Sequence, residues 1–151
     1  MRAVADTNVY VSALNFGGAP EEILQLGRAG AVQLFISPMM LKEIEGVLHR
    51  KFRWSARHIG EATAAIQEFA HLVHPKETVQ VVTEDESDDR ILECALEARA
   101  GVVITGDRHL QHLKTFRGIS IVSPREFLEV RGARGPHELR PPGFRPSEGG
   151  R

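Results

Sequence analysis

Residues 2–8 read Arg-Ala-Val-Ala-Asp-Thr-Asn, and residues 102–107 read Val-Val-Ile-Thr-Gly-Asp. Each stretch is a short apolar run that leads into an acid, the pattern expected where a buried strand gives way to a helix. In an open parallel α/β sheet, the carboxyl ends of the strands lie along one edge. Asp6 and Asp107 are distant in sequence, and this topology predicts that they meet in one cleft.

Two more acids are predicted to reach the same edge of the sheet. Glu43 lies six residues after Ser37, where the apolar run 34–36 ends. Asp89, with its neighbour Asp88, precedes a run of apolar residues at helical spacing. Each acid alone is explained as a helix cap or a solvated side chain. Four acids at four equivalent positions are far less readily explained in that way.

Carboxylates gathered this closely repel one another unless a cation lies among them. The set Asp6, Glu43, Asp89 and Asp107 therefore predicts a metal site. Oxygen ligands without a cysteine or an HExxH pattern favour Mg²⁺ or Mn²⁺ over Zn²⁺. His109 and His112, one helical turn apart beside Asp107, are a much weaker indication of zinc.

The rest of the sequence alternates between strand and helix patterns, which indicates an α/β domain. Helices are predicted after Asp6 and Asp107, and from the breakers and caps near residues 20, 37, 55, 86 and 123. The helix from Ser55 is predicted to end at Pro75. Strands are predicted at residues 2–6, 32–36, 78–82, 102–105 and 119–122.

Composition and charge divide the chain in two. Residues 1–130 suit one domain, and the Pro-, Gly- and Arg-rich residues 131–151 are predicted to form a flexible tail. The tail has five arginines against two glutamates, so it carries +3 and the body −4 of the total charge of −1. An acidic body disfavours nonspecific nucleic-acid binding unless a metal neutralises its cleft.

The apolar runs are too short to cross a membrane, and Cys94 is the single cysteine. Cys94 lies among the apolar residues of a predicted helix, which favours a buried thiol over a nucleophile. A reducing, cytoplasmic location is therefore expected.

The motifs resemble those of the PIN-domain nucleases, in particular the VapC-like toxin components of toxin–antitoxin pairs. The resemblance covers about residues 1–130 and omits the tail. No single motif is specific, but all of them occur in the same order and at compatible spacing. They are Asp6-Thr7-Asn8, Ser37-Pro38 with Leu41-Lys42-Glu43-Ile44, Asp88-Asp89 with Ile91-Leu92-Glu93-Cys94-Ala95, and Val103-Ile104-Thr105-Gly106-Asp107.

This resemblance implies a three-layer α/β/α sandwich with a central parallel sheet of about five strands. It also implies a ribonuclease that uses one or two Mg²⁺ or Mn²⁺ ions, an antitoxin partner and a homodimer. The catalytic and metal-binding residues would be Asp6, Glu43, Asp89 and Asp107, supported by Asn8, Asp88 and Thr105. His109 stands where relatives often have a further acid, and a histidine there is still able to bind metal or phosphate.

Other readings remain open at this stage. One basic, aromatic segment contains Arg50, Lys51, Arg53 and Trp54. It would suit RNA binding, or it would simply end a helix and bury the indole of Trp54. A degenerate PIN domain would bind RNA or protein without cleaving it. A haloacid-dehalogenase-type phosphatase would need an aspartate at Asn8, and a response-regulator receiver would need a phosphoacceptor–lysine pair that is not evident.

Overall fold

The computed structural model describes residues 1–81 and 86–134, and the predicted tail from 135 onward lies outside the described residues. The strands are β1 (Arg2–Ala5), β2 (Gln33–Ile36), β3 (Ala70–Leu72), β4 (Val102–Ile104), β5 (Thr115–Phe116) and β6 (Ile119–Val122). The helices are α1 (Thr7–Phe16), α2 (Gly18–Arg28), α3 (Pro38–Arg50), α4 (Ala56–Phe69), α5 (Glu86–Ala98), α6 (Arg108–Leu113) and α7 (Pro124–Arg134).

The six strands form one sheet in the order β3-β2-β1-β4-β6-β5. All neighbouring pairs are parallel except β5 with β6, which are antiparallel at one edge. Helices flank this sheet on both sides, so the predicted three-layer α/β/α sandwich with about five parallel strands is confirmed. The additional strand, β5, is only two residues long.

The central strands are short apolar runs because both of their faces are covered. Ala3, Val4 and Ala5 of β1 are fully buried, as is Ile104 at the end of β4. The register pairs Ala5 with Ile104, and the backbone N–H of Asp6 donates to the Ile104 carbonyl at 2.8 Å. This pairing places the residues that follow β1 and β4 side by side at the carboxyl edge of the sheet.

One predicted strand is wrong. The third parallel strand is Ala70–Leu72, directly after α4, whereas residues 78–81 form no strand and Val82 lies outside the described part of the chain. The β-branched residues there do not pair with a neighbouring strand. The backbone N–H groups of Val79 and Val81 instead donate to carboxylates of α5, at 2.8 and 3.0 Å.

Two other boundaries differ from the prediction. The helix from Ser55 ends at Phe69 and not at Pro75, because the chain passes into β3 at once. Helix α7 continues to Arg134, four residues into the segment predicted as tail. Within residues 1–81 and 86–134, no helix has the length and apolar character needed to cross a membrane.

Candidate metal centre

Asp6 is a buried acid whose carboxylate faces β4. It occupies the N-cap position of α1, and its side chain also bonds to a residue outside that helix. The hydroxyl of Thr105 donates to Asp6 Oδ2 at 2.5 Å, and the hydroxyl of Thr7 donates to Oδ1 at 3.2 Å. The simple capping explanation is therefore insufficient for Asp6.

The environment of Asp6 disfavours its charged form. Burial raises its pKa above the usual value of 3.8, and the nearby negative charge of Asp107 raises it further. Hydrogen bonds from Thr105, from the backbone of Asn8 and from Thr7 oppose this rise without cancelling it. A cation beside the carboxylate would restore the charged form, so this site is one in which metal binding and ionisation support each other.

Asp107 begins α6 and has two structural roles besides any chemical one. Its Oδ1 accepts hydrogen bonds from the backbone N–H groups of His109 at 2.7 Å and Leu110 at 3.2 Å. Its own backbone N–H donates to the Thr105 hydroxyl at 2.9 Å. These bonds fix the side chain of Asp107 at the carboxyl end of β4.

Thr105 connects the two acids. It is completely buried, and its hydroxyl accepts from Asp107 while donating to Asp6. Its carbonyl accepts from Gln111 Nε2 at 2.7 Å, which ties α6 to the same turn. Gln111 was not recognised from the sequence, because a glutamine on a short helix carries no distinguishing signal.

A candidate metal-binding group forms around Asp107. One oxygen each from Asp88 and Asp107 and one ring nitrogen of His109 lie within 4.8 Å of one another. Ligands of one Mg²⁺ ion lie about 4 Å apart at most, since each bond is about 2.0–2.1 Å. Small side-chain adjustments would therefore bring these three atoms into one coordination sphere, and the donor set fits a divalent cation.

The structure assigns different surroundings to the two adjacent acids of α5. Asp88 is 3% exposed and joins Asp107 and His109, whereas Asp89 is outside this group and its Oδ1 accepts the backbone N–H of Val81. Neighbouring residues on a helix point about 100° apart, so both cannot face the same point. Asp88, predicted only as a supporting residue, is the acid of α5 that meets Asp107.

The segment before α5 is also held by Glu93 and Arg90. Glu93 Oε2 accepts the N–H of Val79 at 2.8 Å and a bond from Arg90 Nη2 at 2.7 Å. Arg90 Nη2 donates as well to the Val79 carbonyl at 3.2 Å. These two residues were missed in the sequence because their partners lie in a segment that was predicted to be a strand.

The other predicted site residues lie around this centre or away from it. Glu43 is half-buried on α3 and does not belong to the group of three. Asn8 is exposed at the rim, where its Oδ1 is 3.8 Å from the position of a Cβ on Gly106. His112 is also outside the group, so the structure offers no support for the Asp107–His109–His112 zinc set.

The basic segment Arg50–Trp54 ends α3, one helix length from Ser37 at the sheet edge. Trp54 is half-buried and its Nε1 donates to Asn15 Oδ1 at 3.1 Å. This segment is therefore separate from the candidate metal centre. Cys94 is fully buried, so the prediction of a buried thiol is confirmed, and burial raises the pKa of that thiol to about 12.

Comparison with known proteins identifies the family. A family model described as "PIN domain" matches residues 2–109. The match covers well over half of the sequence, and the chain belongs to the PIN domain family. The resemblance to PIN domains inferred from the motifs is thereby confirmed.

A solved structure supports the same fold. The chain is similar to one described as "Crystal structure of VapBC2 from Rickettsia felis bound to a DNA fragment from their promoter". The TM-score is 0.59 at 15% identity, and the match covers 82% of this chain and 98% of that chain. At this identity the likeness concerns the fold alone. No curated protein gives a significant match to the sequence.

Proposed function

We propose that this protein is a divalent-metal-dependent endoribonuclease that acts as the toxin of a toxin–antitoxin pair. The observation that carries the proposal is the meeting of Asp88, Asp107 and His109 beside the buried Asp6 in a PIN domain. Acids that follow β1, lie in the first turn of α5 and follow β4 support this proposal, because carboxylates close together are the usual ligands of a metal that assists phosphodiester hydrolysis.

In this proposal Asp88, Asp107 and His109 hold the cation, and Asp6 contributes a carboxylate from the opposite side of Thr105. Asp89 and Glu43 remain candidate ligands of a second metal ion or candidates for outer-sphere contacts with the first. A bound Mg²⁺ or Mn²⁺ would supply an activated water and offset the charge that grows on the phosphate.

The protein's own part in the reaction is to position the carboxylates and to balance charge. Thr105 fixes Asp6 and Asp107 relative to each other, so the carboxylates need no reorganisation when substrate binds. Asp6 and Asp88 are buried, and the lower dielectric constant around them strengthens their interaction with a cation. No side chain of the cluster has to act as a covalent nucleophile.

The toxin assignment rests on the family and on the neighbouring fold. The description of the neighbour names VapBC2 with promoter DNA, which supports an antitoxin partner for this chain as well. We expect the antitoxin to cover the acidic cleft with a basic side chain, because a cation there would replace the metal's charge. A homodimer and a cytoplasmic location are further parts of the proposal.

A catalytically weak PIN domain that binds RNA or protein is the second candidate. The observation that favours it is His109, which supplies a neutral nitrogen where a further carboxylate would increase metal affinity. Metal binding without cleavage would distinguish this candidate from the first.

The test is cleavage of a panel of structured and single-stranded RNAs with EDTA, Mg²⁺ or Mn²⁺. Asp107→Asn protein, purified in parallel, excludes a contaminating ribonuclease, and Glu129→Gln on α7 controls for the loss of an exposed acid. Metal-dependent cleavage that is lost only in Asp107→Asn supports the proposal. Folded wild-type protein that binds metal but cleaves no RNA would favour the binding module.

A further inference from the structure

A second surface, away from the metal centre, combines one exposed and two half-buried aromatic rings with cations. Helices α1 and α3 start at neighbouring strand ends, near Asp6 and Ser37, and their far ends meet. We define the platform as the residues at these far ends together with His58 in the first turn of α4, which lines the same depression. They are Phe16, Lys51, Phe52, Arg53, Trp54 and His58.

The rings of the platform are held in place. Phe16 and Phe52 contact edge to face, with ring centroids 5.8 Å apart. Trp54 is fixed by its bond to Asn15 and by its backbone N–H, which donates to the Leu48 carbonyl at 3.0 Å. Phe16 nevertheless stays 75% exposed, the highest value among the large apolar residues of the described chain. The platform therefore presents the exposed ring of Phe16 together with the half-buried rings of Phe52 and Trp54.

The charge of this surface contrasts with that of the body. Residues 49–58 contain four Lys or Arg and no acid, within a body whose net charge is −4. Glu61 lines the same surface as Arg53 and pairs with Arg57 at 3.3 Å, so the remaining positive charge belongs to Arg50, Lys51 and Arg53. Cations beside exposed rings suit a strand whose phosphates and bases alternate.

Arg53 occupies a backbone conformation that favours glycine. Its φ is 60°, in the left-handed region where a Cβ is disfavoured, and it lies in the turn that ends α3. It also lines an open depression of about 650 Å³ together with Trp54, Ser55 and His58. The turn therefore places Arg53 and Trp54 on one open surface.

We propose that the platform is an RNA exosite, which binds the substrate apart from the position where it is cleaved. The proposal rests on the ribonuclease function and deepens it by defining the substrate. Ten residues of α1 separate Asp6 from the platform, about 15 Å at 1.5 Å per residue. An RNA that reaches both sites therefore needs at least about five stacked nucleotides at about 3.4 Å each.

Two arginines provide a matched pair for the test. Arg53 and Arg99 both have left-handed backbones at helix ends, with φ values of 60° and 53°, and both are exposed. Arg53→Gly and Arg99→Gly therefore remove the same charge and relieve the same strain, and both are expected to raise the melting temperature. Only Arg53→Gly is expected to weaken binding of a 20-nucleotide RNA to Asp107→Asn protein, about fivefold.

Phe16 tests stacking, and Lys51 tests phosphate contact. Phe16→Leu keeps the exposed apolar surface but lacks the ring, so it should raise the Kd about tenfold, whereas Phe16→Tyr should restore binding. Lys51→Gln should lower the slope of log Kd against log salt by about 0.7. With metal, Phe16→Leu should slow cleavage of the long RNA and leave cleavage of a trinucleotide unchanged.

The outcomes separate this proposal from the ribonuclease assignment. Equal RNA affinity in Arg53→Gly and Arg99→Gly, with wild-type protein still cleaving, overturns the exosite alone. Absence of metal-dependent cleavage of every RNA by wild-type protein overturns the ribonuclease assignment instead. A wild-type dimer that becomes a monomer in Phe16→Leu, with unchanged RNA affinity, would show that a second copy of the chain occupies the platform.

Discussion

The hydroxyl of Thr105 donates to the carboxylate of Asp6 at 2.5 Å, across the two central strands of the sheet. The same oxygen accepts the backbone N–H of Asp107 at 2.9 Å. One neutral, buried side chain thus sets the relative position of two acids that come from separate parts of the sequence. The precision of the candidate metal centre depends on this contact more than on any charge pair.

Replacing Thr105 should affect both stability and activity. Thr105→Val keeps the shape of the side chain but leaves the Asp107 N–H and the Asp6 carboxylate without their partner. Hydrogen bonds to charged groups contribute about 1.5–3 kcal/mol, so we expect the free energy of unfolding in urea to fall by about that amount. Single-turnover cleavage should also slow, whereas Thr105→Ser should retain most of both. A stable but inactive valine variant would contradict the structural part of this prediction.

Asp6 should make the metal-free protein less stable as pH rises. Its pKa in the folded protein is above 3.8, so the folded state binds its proton more tightly than the unfolded state does. The contribution of Asp6 to stability is therefore greatest below about pH 3.8 and decreases as pH rises through the higher folded pKa.

Asp6→Asn should remove this part of the pH dependence. The measurement is the urea midpoint of both proteins in EDTA between pH 4 and 8. The urea midpoint of wild-type protein minus that of Asp6→Asn should decrease as pH rises. Mg²⁺ should reverse this decrease. Parallel curves for the two proteins would show that the burial of Asp6 does not govern its ionisation.

The sequence was sufficient to predict four strands of the sheet, β1, β2, β4 and β6, and the acids that follow β1 and β4. Runs such as Val102–Ile104 are apolar because both faces of a parallel strand are covered, so the signal and the structure share one cause. The strand expected at 78–82 was wrong because β-branched residues also occur where side-chain carboxylates bind the backbone. Nothing in the residue types of Val79 and Val81 reveals that Glu93 and Asp89 accept their N–H groups.

The choice between Asp88 and Asp89 was likewise beyond a reading of the sequence. Adjacent acids at the start of a helix look equivalent until the angle of α5 over the sheet is known. That angle depends on packing of the helix against β1, β2 and β4, which are distant in sequence. The platform was recognised only in part for a similar reason, since Phe16 and Phe52 come together through two different helices.

The two acids of α5 should differ in metal binding. Mg²⁺ or Mn²⁺ should raise the melting temperature of wild-type protein, because only the folded state holds the ligands together. At a metal concentration one hundred times the Kd, the free energy of unfolding should rise by about 2.7 kcal/mol. Asp88→Asn should lose most of this gain, and Asp89→Asn should keep it while unfolding more easily without metal. Equal metal-induced shifts in both variants would remove Asp88 from the ligand set.

His109 should determine which metal the centre prefers. An imidazole nitrogen suits Mn²⁺ better than Mg²⁺, whereas a carboxylate suits Mg²⁺ and adds a negative charge. His109→Asp should therefore increase Mg²⁺ affinity about tenfold, or about 1.4 kcal/mol, with a smaller gain for Mn²⁺. His112→Asp, on the same helix but outside the group of three, controls for the added charge.

The direct evidence for this role is spectroscopic and does not depend on turnover. Mn²⁺ bound to wild-type protein should show nitrogen hyperfine coupling in pulsed electron paramagnetic resonance. The coupling should disappear in His109→Asp and remain in His112→Asp, because among residues 1–81 and 86–134 His109 is the histidine whose ring nitrogen lies near Asp88 and Asp107. Persistent nitrogen coupling in His109→Asp would mean that another nitrogen ligand binds the metal, and the half-exposed imidazole of His109 would then be free to contact phosphate.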